Sequence, residues 1–372
     1  MNIMVSKPYL TEECKFFAEQ AIRESSISGL SGKYVEKFEK CFAEFVGTKY
    51  AIACSNGTTA LHLALIGADV CSGDEVLVAD LTNMATFFAV NYTGATAVPV
   101  DINIDTYTVD CHDLVTKITE KTKAIIIVHL FGQPADISSI MHLLESKGIK
   151  IIEDCAEAHG SQIGSKMVGS LGDFGAFSFF GNKNLTSGEG GIVTTNSAEK
   201  YAKLCNLRSL AFGISGNKFI HEEMGYNYRL SNIHAAIAYS QTKNAKFLIE
   251  RRIEVCEHYD FLFKDVDEVI TPVRRPNIKN TYWMYHIRLN EKFSESRDMV
   301  TKQLLENGIE TRNGFVPYTL QKKIKHQFHR TCKNSKTCSE TTFYIPTYLE
   351  IEEEKQIKIV SSIKEILTKL SN

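Results

Sequence analysis

The sequence predicts an α/β fold, with a mostly parallel β-sheet buried between helices and a smaller α+β domain after it. Between about residues 50 and 195, short apolar or β-branched runs alternate with helical stretches, which is typical of βαβ units. After about residue 232 this alternation ends, and a long helical pattern is followed by extended segments. We therefore predict a large domain over residues 1–245 and a small domain over residues 246–372.

The individual elements are assigned from hydrophobic periodicity and from the turn residues that separate them. Residues 313–347 carry no clear pattern and are predicted to be irregular. Since ligands of parallel sheets bind beyond the carboxyl ends of the strands, the residues that follow strands are the first candidates for function. The predicted strands span 50–54, 75–79, 97–100, 123–129, 150–153, 174–179 and 191–195, and the predicted helices span 58–66, 85–91, 137–147, 233–257, 299–307 and 355–370.

Composition narrows the class of protein. The 372 residues are 44% hydrophobic and 23% charged with a net charge of −2, which is typical of a globular protein and lacks the basic bias of a nucleic-acid binder. The first ten residues lack the apolar core of a signal peptide, and no window reaches the about 18 apolar residues of a membrane span. The ten cysteines show neither a C-x-x-C pair nor zinc spacing. We predict a cytoplasmic protein with free thiols and no metal site.

The first candidate site is the segment SNGTT, residues 55–59, which follows a predicted strand and opens a helix. Unpaired backbone N–H groups and the positive end of the helix dipole favour an anion here, and Gly57 allows a close approach of the backbone. A simple capped helix start would produce the same pattern. The segment alone therefore predicts either an anion site or a helix cap.

The second candidate site lies where the strand 150–153 ends in acidic residues, among them Asp154 and Glu157. A carboxylate at the end of a buried strand is costly unless it meets a positive partner. A protonated pyridinium nitrogen would be such a partner. An Asp that caps the next helix is the alternative.

The third candidate site is Lys183, in an apolar and aromatic segment followed by a glycine-rich loop. Desolvation favours the neutral amine, which is the form that makes an imine. Ser178, five residues earlier, could hold a phosphate. We predict that Phe177, Phe179 and Phe180 pack in the core.

The fourth candidate site, GYNYRLS at residues 225–231, gathers an amide, two phenols and a guanidinium before a helix. Arg229 could clamp a carboxylate or a phosphate. A structural ion pair would explain it equally well.

Together these segments resemble the DegT/StrS-type sugar aminotransferases, a family of fold-type I enzymes that use pyridoxal 5′-phosphate (PLP). The resemblance covers residues 32–252, and SFFGNK and HLFGQPADI are most similar to the GDP-perosamine synthase branch of that family. It implies a large domain with a seven-stranded sheet. The matching segments are SGKYVEKFEKCFAEFVG, SNGTTALHLAL, GDEVLVAD, TKAIIIVHLFGQPADI, IIEDCAEAHG, VGSLGDFGAFSFFGNKNLTSGEGG and GYNYRLSNIHAAI.

The resemblance also implies a role for each candidate residue. Lys183 would be the Schiff-base lysine, Asp154 would pair with the pyridinium nitrogen, and Glu157 would lie beside the ring. Asn227 resembles the residue that reaches the phosphate from a partner subunit, which implies a homodimer with a shared active site. The residues implied to hold the PLP phosphate are Gly57, Thr58, Thr59 and Ser178.

The implied reaction takes an amino group from L-glutamate, holds it as pyridoxamine 5′-phosphate, and passes it to a nucleotide-linked keto sugar. A 4-keto-6-deoxy hexose, for example GDP-linked, is the favoured acceptor, with surface polysaccharide or capsule as the destination. A small phosphorylated ketone such as dihydroxyacetone phosphate is the rival acceptor. A PLP-dependent sugar dehydratase and a non-catalytic sensor are competing functions, and the intact set of Lys183, Asp154 and Ser178 argues against both.

Several positions depart from the family pattern or leave their role open. Asn83 stands where the family commonly places an aromatic residue that stacks on the PLP ring, so either another side chain, such as Met84 or Phe87, covers the ring or that face is more open. Substrate contacts are assigned to Asn83 and to three further residues, Arg229, Arg312 and His159.

Three more residues receive interpretations from the sequence alone. His129 is interpreted as a hydrogen-bonded core residue or as a neighbour of the cofactor. Trp283 and Tyr285 are predicted to pack within the small domain.

Overall fold

The computed structural model describes residues 2–30, 32–212, 220–221, 223–324 and 332–371. Its strands are β1 (Tyr50–Cys54), β2 (Glu75–Ala79), β3 (Thr96–Val100), β4 (Thr122–Val128), β5 (Lys150–Asp154), β6 (Gln162–Ile163), β7 (Lys166–Met167), β8 (Phe174–Ser178), β9 (Gly191–Thr195), β10 (Val269–Ile270), β11 (Ile278–Lys279), β12 (Tyr285–Leu289), β13 (Arg312–Asn313) and β14 (Thr342–Ile345). Its α-helices are α1 (Glu12–Arg23), α2 (Lys33–Val46), α3 (Gly57–Gly67), α4 (Met84–Tyr92), α5 (Cys111–Thr116), α6 (Met141–Ser146), α7 (Ala198–Arg208), α8 (Asn232–Lys243), α9 (Ala245–Leu262), α10 (Arg297–Glu306), α11 (Lys333–Thr341) and α12 (Glu353–Ser371).

Seven of the described strands form the central sheet, in the order β1-β9-β8-β5-β4-β2-β3. Neighbours are parallel from β8 to β3, while β9 runs antiparallel to both β8 and β1. Every residue of β8 and β9 is buried, as expected for strands covered by helices on both faces. The predicted α/β class and the mostly parallel seven-stranded sheet are confirmed.

A second sheet, β10-β12-β14-β13, is entirely antiparallel and shares an apolar core with α10 and α12. Helix α9 spans the two cores, because Leu248 packs with the large-domain residues whereas Tyr259 packs with the second sheet. The N-terminal residue Ile3 also pairs with Ile309 beside the second sheet. The domain boundary at residue 245 stays a prediction.

Two predictions about the second half of the chain are wrong. The helix predicted over 233–257 is two helices, α8 and α9, separated at Asn244, whose side chain donates a hydrogen bond to Ser240 O. The region 313–347 is not irregular throughout, because it contains α11 and the inner strand β14. Residues 325–331 of that region lie outside the described residues. None of the described helices combines the length and apolar composition that a membrane span requires.

Candidate active site

A cavity of about 430 Å³ opens at the carboxyl edge of the central sheet. Its walls come from the ends of β1, β2, β4, β5 and β8 and the segments that follow them, together with Trp283, Phe315 and Tyr344 from the C-terminal part of the chain. This is where a parallel sheet is expected to bind its ligand. The lining residues are Asn56, Gly57, Thr58, Leu61, Thr82, Asn83, Ala85, Thr86, Val128, His129, Asp154, Ala156, Glu157, Ser178, Phe180, Asn182, Lys183, Glu189, Trp283, Phe315 and Tyr344.

One end of the cavity is built to receive an anion. The Asn56 side chain accepts a hydrogen bond from Thr59 N at 2.9 Å, which caps α3 and leaves the amides of Gly57 and Thr58 without an intrahelical acceptor. A Cβ atom at Gly57 would lie 2.7 Å from the Cβ atom of Ser178, so glycine is needed where the helix start meets the end of β8. The helix cap is therefore confirmed, while the anion site stays a prediction, supported by the position of Gly57 and Thr58 on the cavity wall.

Thr59 is the exception among the predicted phosphate ligands. Its hydroxyl completes the capping box with Asn56, donating to Asn56 O at 2.8 Å, and it does not line the cavity. The Thr59 hydroxyl thus has a structural role in the helix cap, and the phosphate contact assigned to Thr59 stays a prediction. Ser178, which is buried and lines the cavity, lies opposite the helix start.

Asp154, the last residue of β5, presents a buried carboxylate to the cavity. Its Oδ2 accepts a hydrogen bond from the hydroxyl of Thr86 at 2.8 Å, and its Oδ1 accepts one from Ala156 N at 3.1 Å. Burial raises the pKa of Asp154, while these two donors and the positive charge of Lys183 oppose the rise. A cationic ligand group at this point would stabilise the carboxylate strongly.

Lys183 lies between a carboxylate and an aromatic ring. Its Nζ is 3.5 Å from Glu157 Oε1 and 4.2 Å from the centroid of the Trp283 ring. Glu157 is fixed in turn, because its Oε2 accepts a hydrogen bond from Phe131 N at 2.9 Å. Burial raises the pKa of Glu157, and the positive charge of Lys183 opposes this. The amine is thus sheltered from water and aimed into the cavity.

His129 is engaged at both ring nitrogens. Its Nδ1 accepts a hydrogen bond from Ala135 N at 3.0 Å, so its Nε2 carries the proton and donates to Glu153 Oε2 at 3.1 Å. The ring is buried and also lines the cavity. The two interpretations of His129, hydrogen-bonded core residue and neighbour of the ligand site, therefore both apply.

The remaining predicted site residues lie outside the cavity of this chain. His159 is fully buried among the rings of Phe42, Phe177 and Phe179, and burial lowers its pKa to about 3. Arg312 lies on the edge strand β13, is exposed, and forms an ion pair with Glu310, which precedes the strand.

Asn227 and Arg229 lie on the segment between α7 and α8. Asn227 is exposed. Arg229 forms no ion pair with any described residue, and its Nη1 is buried without a hydrogen-bond partner among them. The structural ion pair considered for Arg229 is therefore not found in the described part of the chain.

The aromatic residues differ from the sequence prediction at two positions. Phe177 and Phe179 are buried as predicted, but Phe180 is 49% exposed and lines the cavity. Trp283 also lines the cavity instead of serving only to pack the small domain, while Tyr285 packs against Tyr259 as predicted.

The start of α4 forms one wall of the cavity. Asn83 lines the cavity and caps α4, accepting a hydrogen bond from Ala85 N at 2.9 Å. Phe87 is stacked on Tyr318 in the core, and Met84 does not line the cavity. Neither Met84 nor Phe87 lines the cavity, and how the ring face beside Asn83 is covered stays a prediction. Thr86 was not predicted, because a threonine inside an apolar helix carries no signal of its role.

The residues present fit three groups of PLP: its phosphate, its ring nitrogen and the aldehyde that binds a lysine. Gly57, Thr58 and Ser178 form a cradle for a phosphate that a Cβ atom at residue 57 would fill. The buried Asp154 offers the partner that a protonated ring nitrogen needs, and Lys183 offers the amine. The backbone amide of Gly57, the carboxylate of Asp154 and the amine of Lys183 belong to residues that line one cavity, as the cofactor requires.

Comparison with known proteins agrees with this fit. The DegT/DnrJ/EryC1/StrS aminotransferase family matches residues 10–364. The GDP-perosamine synthase of Escherichia coli O157:H7 is 37% identical over 366 residues, and that of Caulobacter vibrioides is 36% identical over 371 residues, each match covering 98% of both chains. The structure of Streptococcus pneumoniae Spr1654 in its PLP form superposes with a TM-score of 0.93 at 25% identity, over 99% of each chain. The resemblance predicted from the motifs is confirmed.

Proposed function

Because the chain belongs to the DegT/DnrJ/EryC1/StrS aminotransferase family, we propose that it moves an amino group from L-glutamate to a nucleotide-linked keto sugar of the 4-keto-6-deoxy hexose type, within surface polysaccharide or capsule biosynthesis. As a member of that family it is a PLP-dependent transaminase. The observation that carries the choice of acceptor is the end-to-end similarity to two GDP-perosamine synthases. The intact Lys183 supports amino transfer over dehydration or a sensor role.

The cavity residues can be assigned separate roles in amino transfer. Bound PLP supplies the electron sink that stabilises charge on the reacting carbon. Gly57, Thr58 and Ser178 would hold its phosphate, and Asp154 would hold the proton on its ring nitrogen. Lys183 Nζ then moves a proton to and from the substrate carbon as general acid and base, with Glu157 and Trp283 limiting where the amine can lie.

The acceptor is tested by a two-stage assay on the purified protein with PLP. The cofactor is first converted to its amino form with L-glutamate. L-glutamine and L-aspartate are tested in separate samples as alternative donors. The excess donor is then removed, and separate samples receive GDP-4-keto-6-deoxymannose, its UDP and dTDP counterparts, or dihydroxyacetone phosphate. We expect an amino sugar only from a nucleotide-linked substrate, with kcat/KM for the GDP sugar at least about 10-fold above the others. Product formed only from dihydroxyacetone phosphate would overturn the proposed acceptor.

We further propose a homodimer in which each active site takes residues from both chains. Asn227 and Arg229 do not line the cavity of their own chain, although the resemblance assigns Asn227 to the phosphate. Phe180, at the open side of the cavity, and Met224, near Asn227, expose large apolar side chains, which a second copy of the chain would cover.

Shared sites predict complementation between two inactive variants. In a mixed dimer of Lys183→Ala and Asn227→Ala chains, one site combines the intact Lys183 of one chain with the intact Asn227 of its partner. We expect random mixing to restore about a quarter of the wild-type activity. Activity is measured after the two variants are unfolded and refolded together, with each variant refolded alone as the control. If the mixture is no more active than the variants alone, the two residues do not serve one site across the dimer.

A further inference from the structure

The hydroxyl of Thr86 contacts the Asp154 carboxylate from the first turn of α4. Thr86 Oγ1 donates to Asp154 Oδ2 at 2.8 Å, and both side chains are buried, with Thr86 only 1% exposed. The other carboxylate oxygen accepts from Ala156 N. Each oxygen of Asp154 thus has one donor, and the Thr86 hydroxyl is the one that comes from a different segment of the chain.

A second threonine orients this hydroxyl. Thr82 Oγ1 lies 3.3 Å from Thr86 Oγ1, in a buried setting. Because a carboxylate only accepts, the Thr86 proton points to Asp154, and its oxygen is left to accept the proton of Thr82. The result is a hydrogen-bond chain, Thr82 to Thr86 to Asp154, that runs from the end of β2 to the end of β5.

We propose that Thr86 is a positioning residue for the transamination: its hydroxyl holds the Asp154 carboxylate ionised and turned toward the cavity, so that Asp154 can keep the ring nitrogen of the cofactor protonated. This inference rests on the proposed function, because it assumes that the cavity binds PLP. Thr86 acts through Asp154, and no contact between Thr86 and the substrate is required.

The charges around Asp154 set the expected pH dependence. Burial raises its pKa, and the groups that oppose the rise are the Thr86 hydroxyl, Ala156 N, Lys183 and His129, while Glu157 is the neighbouring carboxyl group. A hydrogen bond to the ionised form of a carboxyl group lowers its pKa. Removal of the Thr86 hydroxyl therefore raises the pKa of Asp154 further. As the pH falls, a variant without this hydroxyl loses the carboxylate charge at a higher pH than the wild type does.

The test is the affinity of the apoenzyme for pyridoxamine 5′-phosphate, which forms no covalent bond with Lys183. Thr86→Val keeps the shape of the side chain and removes the donor, while Thr86→Ser keeps the donor. Because a hydrogen bond to a charged group contributes about 1.5–3 kcal/mol, Thr86→Val is expected to weaken binding roughly 10- to 100-fold at neutral pH. The loss of affinity on acidification should move to higher pH, and Thr86→Ser should retain affinity within about threefold of the wild type.

A second ligand separates positioning from damage to the fold. An analogue of pyridoxamine 5′-phosphate with carbon in place of the ring nitrogen cannot use the Asp154 charge, so wild type and Thr86→Val should bind it equally. The inference would be overturned if Thr86→Val lost affinity equally for both ligands. It would also be overturned if Thr86→Val bound pyridoxamine 5′-phosphate with wild-type affinity at every pH. Failure of the wild type to bind pyridoxamine 5′-phosphate at all would instead refute the proposed function.

Discussion

Replacement of Lys183 by alanine is expected to lower the rate of amino transfer by about 10⁴-fold or more. General acid–base catalysis alone contributes about 10²–10⁴-fold, and this variant also loses the covalent attachment of the cofactor. Lys183 is the lysine that the structure places among the cavity-lining residues, beside Glu157 and Trp283. The rate is measured in a single turnover, as 2-oxoglutarate formed from L-glutamate by protein loaded with PLP.

Two controls make the result for Lys183 specific. Lys203 pairs with Asp69 at the protein surface, so Lys203→Ala should retain wild-type activity. A small primary amine added to Lys183→Ala should restore part of the rate, because it can enter the space left by the side chain and carry the proton. A rate for Lys183→Ala within about tenfold of the wild type would contradict the assigned role, since acid–base catalysis alone is worth more than that.

Replacement of Asp154 by asparagine is expected to lower kcat by about 10²–10⁴-fold, comparable to the loss of an acid–base group. Asparagine keeps the shape of the side chain but cannot balance a positive charge on the ring nitrogen in a buried setting. The variant should also bind pyridoxamine 5′-phosphate more weakly, which equilibrium titration of the apoenzyme measures.

Asp80 provides a matched control for Asp154. It too is a fully buried aspartate at the end of a central strand, but its carboxylate accepts from the backbone and side chain of Thr319. Asp80→Asn should lower the free energy of unfolding in urea by about 1–3 kcal/mol and leave cofactor affinity within a few-fold of the wild type. Equal effects of the two substitutions on cofactor affinity would show that Asp154 acts through stability alone.

The central sheet was predictable because its strands are short, apolar and bounded by turn residues. The predictions for 50–54, 75–79 and 191–195 coincide with β1, β2 and β9, and those for the other central strands are correct to within about one residue at each end. The direction of β9 was not predictable, since a buried strand has the same composition whether its neighbours are parallel or antiparallel. β14, with only four residues, offered too short a pattern before Pro346 for the sequence to reveal it.

The site residues likewise fall into those that the sequence predicted and those that it did not. Gly57 opens a helix, Asp154 and Ser178 end strands, and Lys183 follows one; the local pattern is informative at such positions, and the structure brings all four residues to one cavity. Trp283 and Phe315 reach it from the C-terminal part of the chain, 100 residues or more beyond Lys183. Contacts at that separation depend on how the two sheets pack, which periodicity does not encode.

The most direct test of the central claim is to trap the cofactor on the chain. The purified protein is incubated with PLP, reduced with borohydride, digested and analysed by mass spectrometry. We predict a single phosphopyridoxyl adduct on the peptide that contains Lys183, absent from Lys183→Ala and present in Lys203→Ala. An adduct on another lysine, or none on any, would contradict the assignment of Lys183 as the PLP-binding lysine of this aminotransferase.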